Sequence, residues 1–531
     1  MSDLMRACII YGMQNSSSNI DDIFGKISVD TVRKYVISSA IEVNKIQFEK
    51  FSKLSFVGIS CDEGSTRTIH NLDFVLECPL SGLQSYPCFT TTMKGGTAND
   101  YCESLAHGLF FISNNNINIG SITVDGNYVQ LKALSFNWKN SLRNRYIDSK
   151  GILKHIIVNN CLCHRINNCY KKAYSKDDDL KTAVDYIRDV SRQCKENISD
   201  VLDVCPSVQL TRWVIDYDIC TFIINHAQRI RKFLELDMDT LLKLQQVLSI
   251  LKSLINIFEN ERTPHFKAFR ILEEAIGAFE SIEETNSFAQ CIKEQLFSYT
   301  LGSKTSGIWM LSYILTPDGR NDFSMRINKR TLPAQKDYTS FFNPGKVKEP
   351  EDIVAITNAA LEDFEVGDES NEETIDATGY LKPINTDETE TEVINEEEEE
   401  INDPTYKSID RLCLNPAQNY LSEILESWGI FRESKNKVIQ KFNTFVQNPI
   451  DDLSSQTLES GDYFWENIKY KDPIWNTLSE IAMRLHCSPC SEATCERTIS
   501  SQRLILTARR MNSKKQLLDA RLTLLRGLNV K

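Results

Sequence analysis

Between Leu54 and Val158 the chain runs through short apolar stretches and one helical stretch, and their order constrains the fold more than any other feature. Leu54–Cys61 reads as a strand. Leu72–Cys78 reads as a second, after the polar turn Glu63–His70, and Cys88–Met93 as a third, after Pro87. Gly95-Gly96 ends that strand, and Thr97 with Asp100 three residues on resembles a capping box, which predicts a helix through Phe111. Ile119–Val124 is a fourth strand and Lys154–Val158 a fifth. Short links make the first three an antiparallel meander, whereas the helical crossover makes the fourth parallel to a neighbour. If that neighbour is the first strand, Asp62 and Asp125, which follow the first and fourth strands, emerge side by side. Open sheets place their sites at such strand carboxyl ends.

Strand, strand, strand, helix, strand is the order of an RNase H-like sheet. The predicted fold class is therefore α/β, an RNase H-like mixed sheet interrupted by a large all-α insertion, with a helical C-terminal region. The expected organisation is an N-terminal helical segment (1–50), the first part of the core (51–175), a helical insertion (176–330), an acidic disordered loop (331–408) and a C-terminal region (409–531) that completes the core. Helical periodicity in the insertion is clear at Leu241, Leu244, Val247, Leu248, Leu251 and Leu254.

The formal net charge of −13 is misleading as a guide to partners. Residues 361–403 alone hold eighteen Asp or Glu against one Lys, so the rest of the chain is slightly basic. Between Arg484 and Lys531 there are ten Lys or Arg and three acids, a balance compatible with nucleic acid. Sixteen cysteines, most within apolar segments, read as small buried hydrophobes rather than a disulfide scaffold. The N-terminus lacks the pattern of a signal peptide, and no apolar run approaches the length of a membrane span. A nuclear or cytosolic location is the expectation.

The C-terminal stretch carries a distinctive order: Trp465, Pro473, Trp475, Leu478, Ile481-Ala482, Ser491 to Glu496-Arg497, Ser500, Arg510, then a Leu-rich helix. It resembles the C-terminal dimerisation region of the hAT superfamily of DNA transposases. Upstream, Asp62 matches the first acid of that family's catalytic core and Asp125, in Thr-Val-Asp-Gly-Asn127, the second. Cys161-Leu-Cys-His164 matches its Cys-x-x-His motif, and Thr211-Arg-Trp213 with Tyr217 the start of its helical insertion. The chain departs from the family at Gly126, usually Asn, and at Ile499, often Phe. No Cys-x-x-Cys with a downstream His pair precedes Asp62, so a BED-type zinc finger is not expected here.

The resemblance implies an acid triad of Asp62, Asp125 and Glu496. Carboxylate oxygens suit Mg²⁺ or Mn²⁺, and two such ions can activate a nucleophile and stabilise the leaving oxygen of a phosphodiester. By the same resemblance Trp213 stacks on an unstacked nucleotide and His164 lies near the scissile phosphate. Arg497, Arg503 and Arg510 are candidates for phosphate contacts. The expected partners are DNA and a second copy of the chain, with no membrane. Each residue also has a plainer reading: Glu496 as a surface acid paired with an arginine, Trp213 as core, His164 as structural. Cys161, Cys163, His164 and Cys169, or Cys487 with Cys490, might be taken to seed a zinc site, but neither is a paired ligand set and no zinc is expected. Two functions follow: a transposon-derived protein that binds DNA, dimerises and cleaves strands with metal, or a catalytically inactive or domesticated dimerising nuclear interaction protein.

Overall fold

β1 (Val57–Thr66), β2 (Ile69–Glu77) and β3 (Tyr86–Met93) form the expected antiparallel meander. β4 (Ile119–Val124) pairs parallel with β1, and β5 (Ile157–Asn160) pairs parallel with β4, giving the order β3-β2-β1-β4-β5. This computed structural model describes residues 29–66, 69–126, 128–135, 138–145, 155–197, 214–303, 305–327, 414–447, 465 and 473–505. The expected acidic loop at 331–408 lies outside the described residues.

Two strand boundaries differ from expectation. β1 does not end at Cys61 but continues to Thr66, because β2 stays in register beside it as far as the Thr66↔Ile69 pair. Asp62 therefore sits within β1, opposite Asp73, at the point where the parallel neighbour β4 has ended. β5 starts later than expected, since its pairing with β4 begins at Ser121↔Ile157. Pro87, which cannot donate to a ladder, is accommodated on β3 because that strand is an edge, and the register shifts beside it at Phe74/Val75.

The longer helices are numbered in order. α1 (Val29–Phe51) places Phe48 and Phe51 in the core beside the sheet, where Phe48 meets the rings of Tyr86 and Phe111 edge-on. α2 (Ala98–Asn114) is the crossover from β3 to β4. Its capping box forms: the Asp100 N–H donates to Thr97 Oγ1 at 3.3 Å and the Thr97 N–H to the Asp100 carboxylate at 3.1 Å. Leu105, Leu109 and Ile112 fall at helical spacing on its buried face and join the sheet core.

α3 (Leu162–Lys176), α4 (Asp178–Asn197), α5 (Ile215–Asn225), α6 (Met238–Glu259), α7 (Ala268–Glu280), α8 (Ser287–Tyr299), α9 (Ser306–Ile314) and α10 (Pro317–Ile327) build the helical part. α6 is its centre: Leu241, Leu244, Val247, Leu248, Leu251 and Leu254 are all wholly buried. Each such side chain contributes roughly 1.5–3 kcal/mol on removal from water. By length and composition alone α6 is long and apolar enough to cross a membrane. Its packing against α3, α4, α5, α7 and α8 gives that apolar surface a protein environment.

After residue 413 the chain adds α11 (Asn415–Ser427), α12 (Arg432–Gln447), α13 (Pro473–His486) and α14 (Ala493–Ile505). α11 packs on α9 and α12 on α10, whereas α13 returns to β4 and α14 covers β1 and β2. The sheet is thus closed on one face by a segment more than 350 residues downstream of its central strands.

Candidate functional site

The register of β1 and β4 sets the site. Ser60 pairs with Thr123, so two residues further along each strand Asp62 and Asp125 reach the same level and, by the two-residue alternation of strands, the same face. That face is the one covered by α14 and the segment before it. Ser60 Oγ lies 3.4 Å from Cys495 Sγ, and Thr123 Oγ1 donates to the Pro489 carbonyl at 2.9 Å. The Glu63 N–H donates to Asp62 Oδ1 at 2.7 Å, and the Asp125 N–H to Gln130 Oε1 at 3.1 Å. Gly126 has φ +89°, so the chain turns sharply after Asp125 through a conformation that favours glycine.

β5 lies beside β4, and the turn after it starts α3 at Leu162, with Cys161 as the preceding residue. This puts His164 in the first turn of α3, directly beside Asp125: its Nε2 is 3.2 Å from Asp125 Oδ1 and 3.8 Å from Glu496 Oε1. Its Nδ1 faces the other way and lies 2.8 Å from Glu492 Oε1.

Glu496 arrives through a tightly held segment. The Leu162 N–H donates to the Cys490 carbonyl at 3.0 Å, and Ser491 Oγ donates to the Phe258 carbonyl of α6 at 2.7 Å. Pro489 also bridges to Pro264. Strand, insertion and α3 therefore all grip residues 489–491, and α14 begins from that anchor. Asp62, Glu492 and Glu496 each offer an oxygen within 4.8 Å of the others. The structure thus brings together Asp62, Asp125, Glu496 and His164.

Burial and mutual repulsion mark the acids. Burial, then the charges of Glu496 and Asp125, raise Asp62 to about 7, against the opposing hydrogen bond from the Glu63 N–H. Glu496 is also raised, chiefly by burial. Burial alone would lower His164, but contact with Cys161 and the charges of Asp125 and Glu496 raise it to about 9. The imidazole is therefore cationic at neutral pH and partly offsets the clustered carboxylates. Asp125 is 33% exposed and Glu496 40%, so the cluster is open to a large ligand. Asp62, Glu492 and Glu496 are the acids whose oxygens could hold a divalent cation, and carboxylate oxygens suit Mg²⁺ or Mn²⁺.

Residue by residue, the other expectations fare unevenly. Arg497 is anchored within the fold: its guanidinium donates to the Glu259 carbonyl at 3.3 Å and to Thr494 Oγ1 at 3.1 Å. Arg503 lies on α14, with its side chain outside the described residues, and Trp213 and Arg510 lie wholly outside them. Glu492 was missed. It is 0% exposed, and neither oxygen makes a hydrogen bond, although Oε1 approaches His164 Nδ1. Burial drives its carboxyl far above the usual range. The available signal was its spacing, four residues before Glu496, which places two acids on one face of a helical turn.

Residues 455–526 match the model of the hAT family C-terminal dimerisation region. The likeness is to that region alone, which is about a seventh of the chain. The matched hAT segment includes α13, α14 and the 489–491 anchor, so the region named for dimerisation also closes the sheet and delivers Glu496. A match to a dimerisation region supports homodimer formation. No curated protein matches the chain.

Proposed function

We propose that this chain is a hAT-derived, metal-dependent DNA strand-cleaving and strand-transfer protein built on an RNase H-like core. The observation that carries the reading is that Asp62 and Asp125 stand at one level of two parallel strands, that Glu496 from a distant helix offers an oxygen within 4.8 Å of one of Asp62, and that His164 Nε2 lies 3.2 Å from Asp125 and 3.8 Å from Glu496. Asp62, Asp125 and Glu496 would hold Mg²⁺ or Mn²⁺. Bound there, the ions would polarise the phosphodiester and sharpen the attacking hydroxyl. The chain's own residues position the reactants. Asp62 is fixed by the Glu63 N–H and feels the charges of the other two acids. His164, cationic and facing Asp125 through Nε2, is placed to donate to a phosphate oxygen.

DNA is the proposed partner and the nucleus the proposed location, with the basic residues after Arg484 as the electrostatic footprint. Arg503, Arg510 and Trp213 are the proposed DNA contacts. The test is nicking of supercoiled plasmid by the purified full chain in Mn²⁺. We expect activity that is lost in Asp62→Asn and Glu496→Gln while circular dichroism is unchanged. Nicking that survives in Asp62→Asn sinks the assignment. A wild-type chain without metal-dependent nicking would instead be a dimerising interaction protein, a reading supported by the match to a dimerisation region.

A further inference from the structure

Glu492 is not one of the three acids assigned to cleavage, although one of its oxygens lies within 4.8 Å of oxygens of Asp62 and Glu496. It is wholly buried, it departs from the strand acids in position, and both its oxygens lack hydrogen bonds. A carboxylate so placed is normally protonated, paired or bound to a cation. Its surroundings indicate which. Cys161 and His164 lie one helical turn apart at the start of α3, and Glu492 comes to them from the loop before α14. Cys161 Sγ, a ring nitrogen of His164 and a carboxylate oxygen of Glu492 lie within 4.8 Å of one another. The Glu492 N–H also contacts Cys161 Sγ at 3.5 Å, which holds the two backbones together.

We propose that Cys161, His164 and Glu492 form a site for one zinc-class divalent cation, adjoining the oxygen site of Asp62, Asp125 and Glu496 through Glu492 and His164. The donor set decides the class. One thiolate, one imidazole and one carboxylate suit a borderline-soft ion such as Zn²⁺, whereas Mg²⁺ prefers oxygen and water. Ligand atoms around one four-coordinate zinc stand roughly 3–4 Å apart, so the observed spread needs only a small contraction. The short approach of Glu492 to Nδ1 lacks the direction of a hydrogen bond, and an ion between the two would widen it. The sequence reading dismissed zinc because Cys161 and His164 had no paired ligands. The fold supplies the third from 328 residues downstream of His164.

The two nitrogens of His164 then have separate tasks. Nδ1 faces Glu492, and Nε2 faces Asp125 and Glu496. A cation on Nδ1 would fix the tautomer and keep an Nε2–H pointed at the acid cluster. The site itself stands whether or not the chain cleaves DNA.

The test uses the full chain, stripped with chelator and titrated with Co²⁺. We expect one equivalent to bind with the near-ultraviolet charge-transfer band of a cobalt–thiolate bond. Cys161→Ser abolishes the band, Glu492→Gln weakens Co²⁺ binding at least tenfold, and Cys487→Ser and Asp62→Asn leave the band intact. A wild-type chain without the band, or a band unchanged in Cys161→Ser, overturns the site. So does loss of Mn²⁺ binding in Glu492→Gln without any thiolate band, which would assign Glu492 to the oxygen cluster. Should Cys161→Ser fail to fold, zinc-edge X-ray absorption of the wild-type chain decides: a shell with one sulfur supports the site, and a shell with none or four overturns it. Asp62→Asn separates the two readings, because it removes nicking and spares the band.

Discussion

Gly58 is the position at which a single methyl group tests the closure of the site. It lies on β1 beside the irregularity in the β1–β4 pairing, with the closing segment packed directly on its α-carbon. A Cβ added there would overlap the Cys487 carbonyl oxygen and stand 2.6 Å from Pro489 Cδ. Neither obstacle is a flexible side chain. Pro489 is tied to Thr123 and its neighbours Cys490 and Ser491 to Leu162 and Phe258. The segment must therefore retreat by roughly half an ångström or more to restore van der Waals separation. Overpacking of this kind costs typically ~1–3 kcal/mol, and the backbone anchor places Gly58→Ala at the upper end. Because Glu492 and Glu496 follow the same segment, they move with it, and a displacement near 1 Å costs about 10²-fold in a positioned reaction. Urea denaturation and Mn²⁺-dependent nicking of Gly58→Ala measure both effects. Gly96→Ala is the control, since a Cβ there meets nothing within 4 Å. A Gly58→Ala protein within about 0.5 kcal/mol of wild type, the range of an uninvolved surface change, would refute the tight closure argued here.

Two further outcomes follow from other parts of the molecule. His265 is buried beside His486, and burial lowers it from 6.5 to about 3. A lowered histidine contributes stability that is present above pH 6.5 and lost as pH falls toward 3, because only the unfolded chain takes the proton. Wild type should therefore lose about 2 kcal/mol relative to His265→Leu between pH 8 and pH 5, read from paired urea curves. A constant difference across that range would exclude a neutral buried imidazole. The hAT region matched at 455–526 extends past α14, so a chain ending at Ile505 should keep the fold and lose the dimer in sedimentation equilibrium. A truncated chain that still sediments as a dimer would place the interface elsewhere.

Much of the site was legible before any fold was drawn. Polar turns and a capped crossover helix dictated which strands run parallel, and parallel pairing puts Asp62 and Asp125 at one level. The extent of β1 was not legible, because strand length past Cys61 depends on how far β2 stays in register, a property of the pair. Glu492 escaped for a related reason. Its partners Cys161 and His164 are 331 and 328 residues away, and nothing local distinguishes it from a surface acid. Nor was the setting of Arg497 legible: it is exposed, and its guanidinium donates to the Glu259 carbonyl and Thr494 Oγ1 once α6 and α14 meet.

The sequence by itself determined the order of elements, the parallel placement of two acids and the hAT character of the C-terminal region. These follow from periodicity, capping and motif, which act over a few residues. The tertiary structure alone decided that α14 returns across the sheet, that Glu496 reaches Asp62 and Asp125, and that a buried Glu492 meets Cys161 and His164. Such closure is set by the packing of residues 487–491 against Gly58, Thr123, Leu162 and Phe258. Contacts made across hundreds of residues depend on the shape of the whole core, and no local pattern encodes that shape.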